Sequence, residues 1–468
     1  MDNNPALTTP AVPRLPSQQQ SDATGSTSSE PSNHSNERLK ATKSAGVNSA
    51  QSTPSKYSHG WRRIVRNFSP SWFSVTMGTG VVSTIFITIP WKADWLYHLG
   101  IAFFALNVIL FICAFVASCV RYTIWPEIWS VMIDDPTNSL FLGTIPMGFA
   151  TIVEMWTFVC VPAWGTWAAH VAWALWMVDS IVALSITISL GVLLMSASHQ
   201  RSLDSITAAQ LLPIAATIVA AGTGAEVSSV LPNPHHALGT IIASYVMWGM
   251  ATPMSVSVLV IYYQRLALHK MPSREVIVSA FLPIGPLGFG GYTILYLGKM
   301  AAEIFPRTGT IDPLAGRVAF ILGFFVAIIM WGWGLVWLAF ALASIYKARP
   351  FPLNLGWWGF IFPLGVYSVS TILIGELLPS LFFKVLGTIF STIVIMLWVL
   401  VAGLTARGAW EGHLFHAPCL ANLRPRTEVV PRSSSEVEKQ VDGQHAANDV
   451  KDVGLMPQDS REAPDILR

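Results

Sequence analysis

Two carboxyl side chains, those of Glu154 and Asp179, lie well inside long apolar stretches of this sequence. A charge inside a bilayer is costly and usually functional, so both residues are candidates for a proton-coupling network. The alternative is a structural role, in which each carboxyl accepts hydrogen bonds from Ser, Thr or Trp side chains of neighbouring helices. The sequence leaves both interpretations open. The other ionisable residues in or beside these stretches are His170, Glu226, Lys299 and Glu376.

No cluster that would support catalysis is visible in the apolar stretches. A membrane-embedded enzyme would need paired histidines or carboxylates one helical turn apart on a spanning helix, and no such pair occurs. Cys113, Cys119 and Cys160 lie in apolar stretches and Cys419 lies near the carboxyl terminus. This arrangement predicts neither a disulfide framework nor a metal site. We therefore expect no catalytic residue, no metal and no cofactor.

A proline followed two residues later by glycine recurs inside the apolar stretches. The motif occurs as Phe362-Pro363-Leu364-Gly365, Pro286-Leu287-Gly288 and Pro146-Met147-Gly148. Pro213-Ile214-Ala215 keeps the proline without the glycine, and Gly78-Thr79-Gly80 has glycine in the place of the proline. The five sites are spaced at about 70 residues, a period that indicates repeated structural units.

Proline in a helix interior removes a backbone hydrogen bond and costs about 3 kcal/mol. In lipid the freed carbonyl needs another partner, so such a site is tolerated only where protein or a water-filled cavity surrounds it. We therefore expect five helices that break at these motifs and together line a passage. The residues predicted to line it are Gly78, Gly80, Pro146, Gly148, Pro213, Pro286, Gly288, Pro363 and Gly365.

No Lys or Arg lies near the middle of an apolar stretch, so a fixed cationic binding site is not expected. An anion would instead meet backbone N–H groups at the helix breaks, which carry a weak positive potential. Weak binding suits a conduit, because the ion must also leave.

The residue before each break is large and aromatic only in the ninth stretch, where it is Phe362. The corresponding residues elsewhere are Met77, Ile145, Leu212 and Gly285. If the five breaks lie at similar depth, the ring of Phe362 is the bulkiest group in the constriction and would plug it. The alternative is that the ring packs laterally against a neighbouring helix.

Composition determines the kind of protein that must position these residues. The chain of 468 residues is 52% hydrophobic and 12% charged, about half the charged fraction of a soluble domain. It contains about ten apolar stretches long enough to span a bilayer, which predicts an all-α polytopic membrane protein. We expect a transmembrane domain over residues 64–411, between disordered tails over 1–63 and 412–468, which are rich in polar residues. The net charge of +2 predicts no nucleic-acid partner.

Several motifs together carry a resemblance to a known family. They include Asn67-Phe68-Ser69-Pro70-Ser71-Trp72-Phe73, Gly143-Thr144-Ile145-Pro146-Met147-Gly148 and Val385-Leu386-Gly387-Thr388-Ile389, besides the motifs around Pro286 and Pro363. On these residues the chain resembles the tellurite-resistance/dicarboxylate transporter family, which includes bacterial TehA and the plant slow anion channels. The resemblance covers residues 67–411 and neither tail. Within the family the motifs are most similar to those of the fungal sulfite exporters.

The resemblance implies ten transmembrane helices arranged as five helical hairpins, in a quasi-fivefold array around a central pore lined by the odd-numbered helices. It also implies a homotrimer, and a phenylalanine gate on the ninth helix that corresponds to Phe362. The fifth helix departs from the pattern, because Pro213 is followed by no glycine.

The sequence is therefore interpreted as that of a plasma-membrane exporter of sulfite or bisulfite, a small inorganic anion. The membrane potential alone suffices to drive it, since one charge across 100 mV is worth about 2.3 kcal/mol, or about a fortyfold gradient. The main alternative is a malate or dicarboxylate transporter of the same family, which would need a cationic partner in the pore for the second carboxylate. A membrane-embedded enzyme or a receptor is less favoured.

We predict that both termini are cytoplasmic, because Lys and Arg are concentrated on the side of the amino terminus and an even number of helices returns the chain there. An epitope tag at either end should be labelled only after the cells are permeabilised. Labelling of either tag on intact cells would contradict this topology.

Overall fold

The computed structural model describes residues 60–135, 137–195, 203, 206–415, 417 and 420. The predicted tails lie almost wholly outside these residues, although a short helix, Trp61–Arg66, begins within the first of them. Ten helices are long and apolar enough to cross a membrane, and no strand occurs among the described residues, so the predicted all-α multi-pass fold is confirmed. The helices are α1 Pro70–Thr88, α2 Asp94–Ile124, α3 Ser139–Trp164, α4 Thr166–Leu193, α5 Ala208–Ser228, α6 Pro234–His269, α7 Ile277–Thr308, α8 Ala315–Ala348, α9 Leu355–Leu377 and α10 Leu381–Glu411.

The odd-numbered and even-numbered helices differ sharply in burial. In the odd-numbered helices 67% to 94% of the membrane stretch is buried inside the protein, against 17% to 33% in the even-numbered helices. A helix that is apolar all round is stable in lipid whether it faces lipid or protein. The odd-numbered helices are therefore the inner helices, and the even-numbered helices provide most of the apolar surface that faces outward.

The inner helices contact one another in a closed circuit. Along the circuit α1 contacts α3, α3 contacts α5, α5 contacts α7, α7 contacts α9, and α9 contacts α1. Each even-numbered helix packs against the inner helix that precedes it in the chain. We call the five inner helices the inner ring. A fivefold symmetry of this ring and a pore along its axis stay predictions.

Each inner helix begins with a 3₁₀ turn and then continues as an α-helix. The turns are Pro70–Trp72, Ser139–Gly143, Ala208–Gln210, Ile277–Phe281 and Leu355–Phe360. Their recurrence at the predicted spacing gives the repeated units a structural meaning: one inner helix and one outer helix for each 3₁₀ turn.

The four motif prolines occupy one position in these units. Pro146, Pro213, Pro286 and Pro363 are each the third residue of the α-helical part of their helix. The expectation that proline breaks a helix at mid-span is therefore wrong. The first four N–H groups of an α-helix have no partner within the helix, so a proline there loses no hydrogen bond. The prolines mark where the α-helical parts begin.

A glycine lies at every contact in the inner ring. If each had a Cβ atom, that atom would lie within 3 Å of a neighbouring helix, which real Cβ atoms do not tolerate. Small residues of this kind let membrane helices approach closely where no hydrophobic effect drives them together. Around the ring these glycines are Gly148 against Thr76, Gly143 against Leu212, Gly222 against Phe289, Gly288 against Tyr367 and Gly365 against Val81.

Replacing Gly143 by alanine should destabilise the protein, because the new methyl group would lie 2.6 Å from the backbone oxygen of Leu212. We expect a loss of about 1–3 kcal/mol, as for other overpacked sites, measured as a lower melting temperature of the detergent-solubilised protein. The matched control is Gly332→Ala on α8, where nothing lies within 4 Å of the added atom. Equal melting temperatures for the two variants would contradict the role of Gly143.

Candidate functional site

Two cavities lie at opposite ends of the inner ring. The first, the amino-terminal vestibule, has a volume of about 600 Å³ and is lined by the first turns of all five inner helices. The second, the carboxy-terminal vestibule, has a volume of about 470 Å³ and is lined by the later turns of α1, α3, α7 and α9. One cavity therefore lies at each end of the inner ring.

The amino-terminal vestibule presents hydroxyl groups and helix amino termini. Its hydroxyl groups include those of Ser74, Thr144 and Ser279, one from each of three inner helices. Asp135 also lines it, and its carboxylate accepts hydrogen bonds from the backbone N–H groups of Thr137 and Asn138, at 2.9 and 2.7 Å. Five helix amino termini converge here and each contributes a weak positive potential, while Asp135 and Glu275 contribute negative charge.

A closed segment separates the two vestibules. On α1 the amino-terminal vestibule reaches Met77 and the other begins at Ile87. The same interval of ten residues separates Leu282 from Tyr292 on α7, and Gly359 from Val369 on α9. Ten residues of helix rise about 15 Å. The closed segment thus has the same length on three inner helices.

Phe362 lies in the closed segment, three residues beyond Gly359, and is 5% exposed. Met77 and Leu212, at the equivalent position of α1 and α5, line the amino-terminal vestibule. The ring of Phe362 is therefore at the end of the closed segment nearest that vestibule. A gating role for it stays a prediction.

The predicted pore-lining glycines lie where inner helices touch. Besides Gly148, Gly288 and Gly365, this holds for Gly78 and Gly80. An added Cβ at Gly78 would lie 2.6 Å from the ring of Trp358, and one at Gly80 would lie 1.9 Å from the hydroxyl of Thr151. Their small size has a packing reason, while their exposure to a pore stays a prediction, as does that of the four prolines.

Four polar side chains form a buried chain across the inner ring. The hydroxyl of Thr84 on α1 donates to Oε2 of Glu154 on α3, at 3.1 Å. The carboxyl of Glu154 lies against that of Glu226 on α5. The hydroxyl of Tyr292 on α7 donates to Oε1 of Glu226, at 2.6 Å. We call these four residues the carboxyl chain; it joins four of the five inner helices.

The helix that carries Glu154 changes its geometry just after this residue. Its α-helical part ends at Met155, and a π-helical turn, Trp156–Cys160, follows. Such turns occur mainly at functional sites, because they re-aim the side chains around them.

The structure separates the two carboxyls that the sequence analysis placed first. Asp179 is 1% exposed on α4, an outer helix, and no donor among the described residues contacts either of its oxygens. Glu154 is joined instead to Glu226, which sequence reasoning ranked lower. The sequence offers no signal for that pairing, because the two residues lie on different helices.

Two lysines line the carboxy-terminal vestibule, Lys92 from the loop between α1 and α2 and Lys299 from α7, together with Glu376 from α9. Burial lowers the pKa of the Lys92 ammonium, and the nearby Glu376 carboxylate partly opposes this shift. Sequence reasoning found no cation at mid-span and missed that these two gather at one end of the ring. Their spacing along the chain gives no hint of it.

Comparison with known proteins gives a match over most of the chain. The voltage-dependent anion channel family, SLAC1, matches residues 67–406, from just before α1 into α10. A protein of Arthroderma otae named sulfite efflux pump SSU1 is 47% identical over 351 residues, which is 75% of this chain and 93% of that protein.

The names of two further relatives refer to different substrates. A sulfite efflux pump SSU1 of Trichophyton rubrum is 46% identical, over 75% of this chain and 93% of that protein. The malic acid transport protein of Schizosaccharomyces pombe is 24% identical, over 73% of this chain and 78% of that protein. The family match and the identity of the first two relatives show that this chain belongs to the voltage-dependent anion channel family.

Proposed function

We propose that this protein exports sulfite or bisulfite across the plasma membrane, along the axis of the inner ring. The observation that carries the proposal is the ring itself: five inner helices with a vestibule at each end and one closed segment between them. The relatives named sulfite efflux pump, at 46% and 47% identity, support the substrate.

The electrostatics of the two vestibules favour an anion. Five helix amino termini converge on one vestibule, and Lys92 and Lys299 line the other. Positive charge at a mouth raises the local concentration of anions and their rate of entry. The two lysines lie in a vestibule and not in the closed segment. An anion that enters the closed segment is therefore not held there by a cation.

The closed segment favours a small anion over a dicarboxylate. Between the vestibules the described residues of the inner helices include no Lys or Arg. These residues are 78–86, 145–157, 213–228, 283–291 and 360–368. A second carboxylate would therefore pass this segment with no cationic partner, which is costly in a water-poor site. This argument makes malate transport the second candidate, supported only by the malic acid transport protein at 24% identity.

Several further features belong to the proposal. They are a gate formed by Phe362, a homotrimer and cytoplasmic termini. The outer helices expose many large apolar side chains, which would meet lipid or other copies of the chain.

Anion-substitution currents through the purified protein in planar bilayers test the substrate. At slightly acidic pH, where bisulfite is a monoanion, we expect current with bisulfite as the only permeant anion and little with malate, because malate brings a second charge into a segment without cations. The control is a bilayer formed from the same lipid without protein. Malate currents equal to sulfite currents would favour the second candidate.

Replacing Phe362 by alanine should raise the anion conductance per molecule at the cell surface, because it removes the bulkiest group from the end of the closed segment. If the ring only packs laterally, the loss is instead one of stability, about 3–5 kcal/mol by analogy with soluble cores. Conductance is measured with surface biotinylation for normalisation.

Phe360→Ala is the matched control for Phe362. Phe360 is 8% exposed on the same helix, and its ring packs edge-on against Phe281, at 4.9 Å between centroids. Both variants lose a buried ring, but only Phe362→Ala should gain conductance. A Phe362→Ala protein that reaches the surface normally and conducts no more than the parent would refute the gate.

A further inference from the structure

The pair of carboxyls at the centre of the carboxyl chain has an unusual environment. Glu226 is fully buried and Glu154 is 5% exposed. Oε1 of Glu226 accepts from Tyr292, but no N–H or hydroxyl donor of the described residues reaches Oε2. The group that Glu226 does meet is the carboxyl of Glu154. A buried acceptor without a donor is rare and calls for an explanation.

A proton between the two carboxyls supplies that explanation. Ionised carboxylates are acceptors only, so two of them cannot hydrogen-bond to each other. Two carboxyls that share one buried site cannot both ionise, and one of them keeps its proton. The pair therefore carries one proton and one negative charge, or two protons and no charge.

The pair is connected to the carboxy-terminal vestibule. Tyr292 donates its hydroxyl to Glu226 and also lines the carboxy-terminal vestibule. A proton entering there can pass along the hydroxyl to Glu226, while Thr84 ends the chain on the far side of Glu154. On α1 the residue Thr84 is only three positions from Ile87, the first residue of that vestibule. The pair thus lies at the opposite end of the closed segment from Phe362.

Other titratable groups lie on the helices that pack against those of the pair, and in the carboxy-terminal vestibule. On α7 they are Tyr292, Tyr296, Lys299 and Glu303; in the carboxy-terminal vestibule they are Lys92 and Glu376; on α4 and α6, packed against α5, they are Asp179 and Tyr245. From α1 and α2, Thr84 and Asn107 hydrogen-bond to side chains of α3, and neither is charged.

We propose that Glu154 and Glu226 form a proton-operated gate for the passing anion. With one proton the pair is negative, and it repels an anion strongly because the closed segment holds little water to screen the charge. A second proton, taken up from the carboxy-terminal vestibule and bound to a carboxylate oxygen, neutralises the pair and lets the anion through. This gate rests on the proposed function, since it requires that the permeant ion is an anion.

The shared proton can be measured without any transport. In infrared spectra of the wild-type protein in liposomes, we expect the carbonyl band of a buried, protonated carboxyl near neutral pH, growing on acidification. The double variant Glu154→Gln/Glu226→Gln should weaken this band. The pair's contribution should remain in Asp179→Asn, which removes another buried carboxyl with no donor among the described residues, and in Glu303→Gln, which removes an exposed carboxylate from α7. An unchanged band in the double variant would overturn the proposal.

The gate is tested by sulfite flux from liposomes at different pH. A carboxamide is neutral at every pH, so the double variant Glu154→Gln/Glu226→Gln should pass sulfite about tenfold faster than the wild type at about pH 8 and equally fast at about pH 5. Each single variant keeps one carboxyl that can still ionise and should therefore keep a pH dependence, and Glu303→Gln should follow the wild type. Comparing proteins at one pH cancels the change in charge of sulfite itself.

The outcomes separate this proposal from the proposed function. If the double variant keeps the pH dependence of the wild type, the gate is refuted even where sulfite flux is normal. If malate passes and sulfite does not, the proposed substrate is wrong. The gate is then tested by the ratio of malate flux through the double variant to malate flux through the wild type at each pH. If no protein passes any anion, both proposals fail, and only the shared proton stands on the infrared band.

Discussion

The close approach of the five inner helices is the constraint on which the rest of this structure depends. Lipid offers no hydrophobic drive to bring helices together, so contact has to come from dense packing of small residues. One glycine at each contact of the inner ring, such as Gly143 against the backbone of α5, provides it. The vestibules, the closed segment and the carboxyl chain all exist because these helices meet in a closed circuit.

The sequence was sufficient for the parts of this fold that repeat along the chain. Hydropathy revealed ten spans, and the proline and glycine motifs revealed five units, because both signals are local. The position of the prolines was misjudged for a local reason too. Hydropathy marks the thickness of the bilayer, not the start of an α-helix, so Pro363 looked central although a 3₁₀ turn, Leu355–Phe360, precedes it.

What the sequence could not supply is the pairing of side chains across helices. Glu154 and Glu226 lie on different inner helices, and each alone is only a carboxyl in an apolar stretch. Lys92 and Lys299 are likewise remote in sequence and share one cavity. Asp179 has the same local pattern as Glu154, yet the ring leaves it on an outer helix, α4. Such differences arise from tertiary packing, which periodicity and composition do not record.

The closed circuit of the inner ring also limits how this protein can move. Many transporters work by alternating access, in which one half of the molecule rocks against the other on the microsecond-to-millisecond scale. A ring in which each helix is locked to both neighbours through glycine has no seam along which two halves could separate. We therefore expect movement of side chains inside the ring, whose rotamer changes take picoseconds to nanoseconds when they are free, rather than of whole halves. The expected throughput is that of a channel.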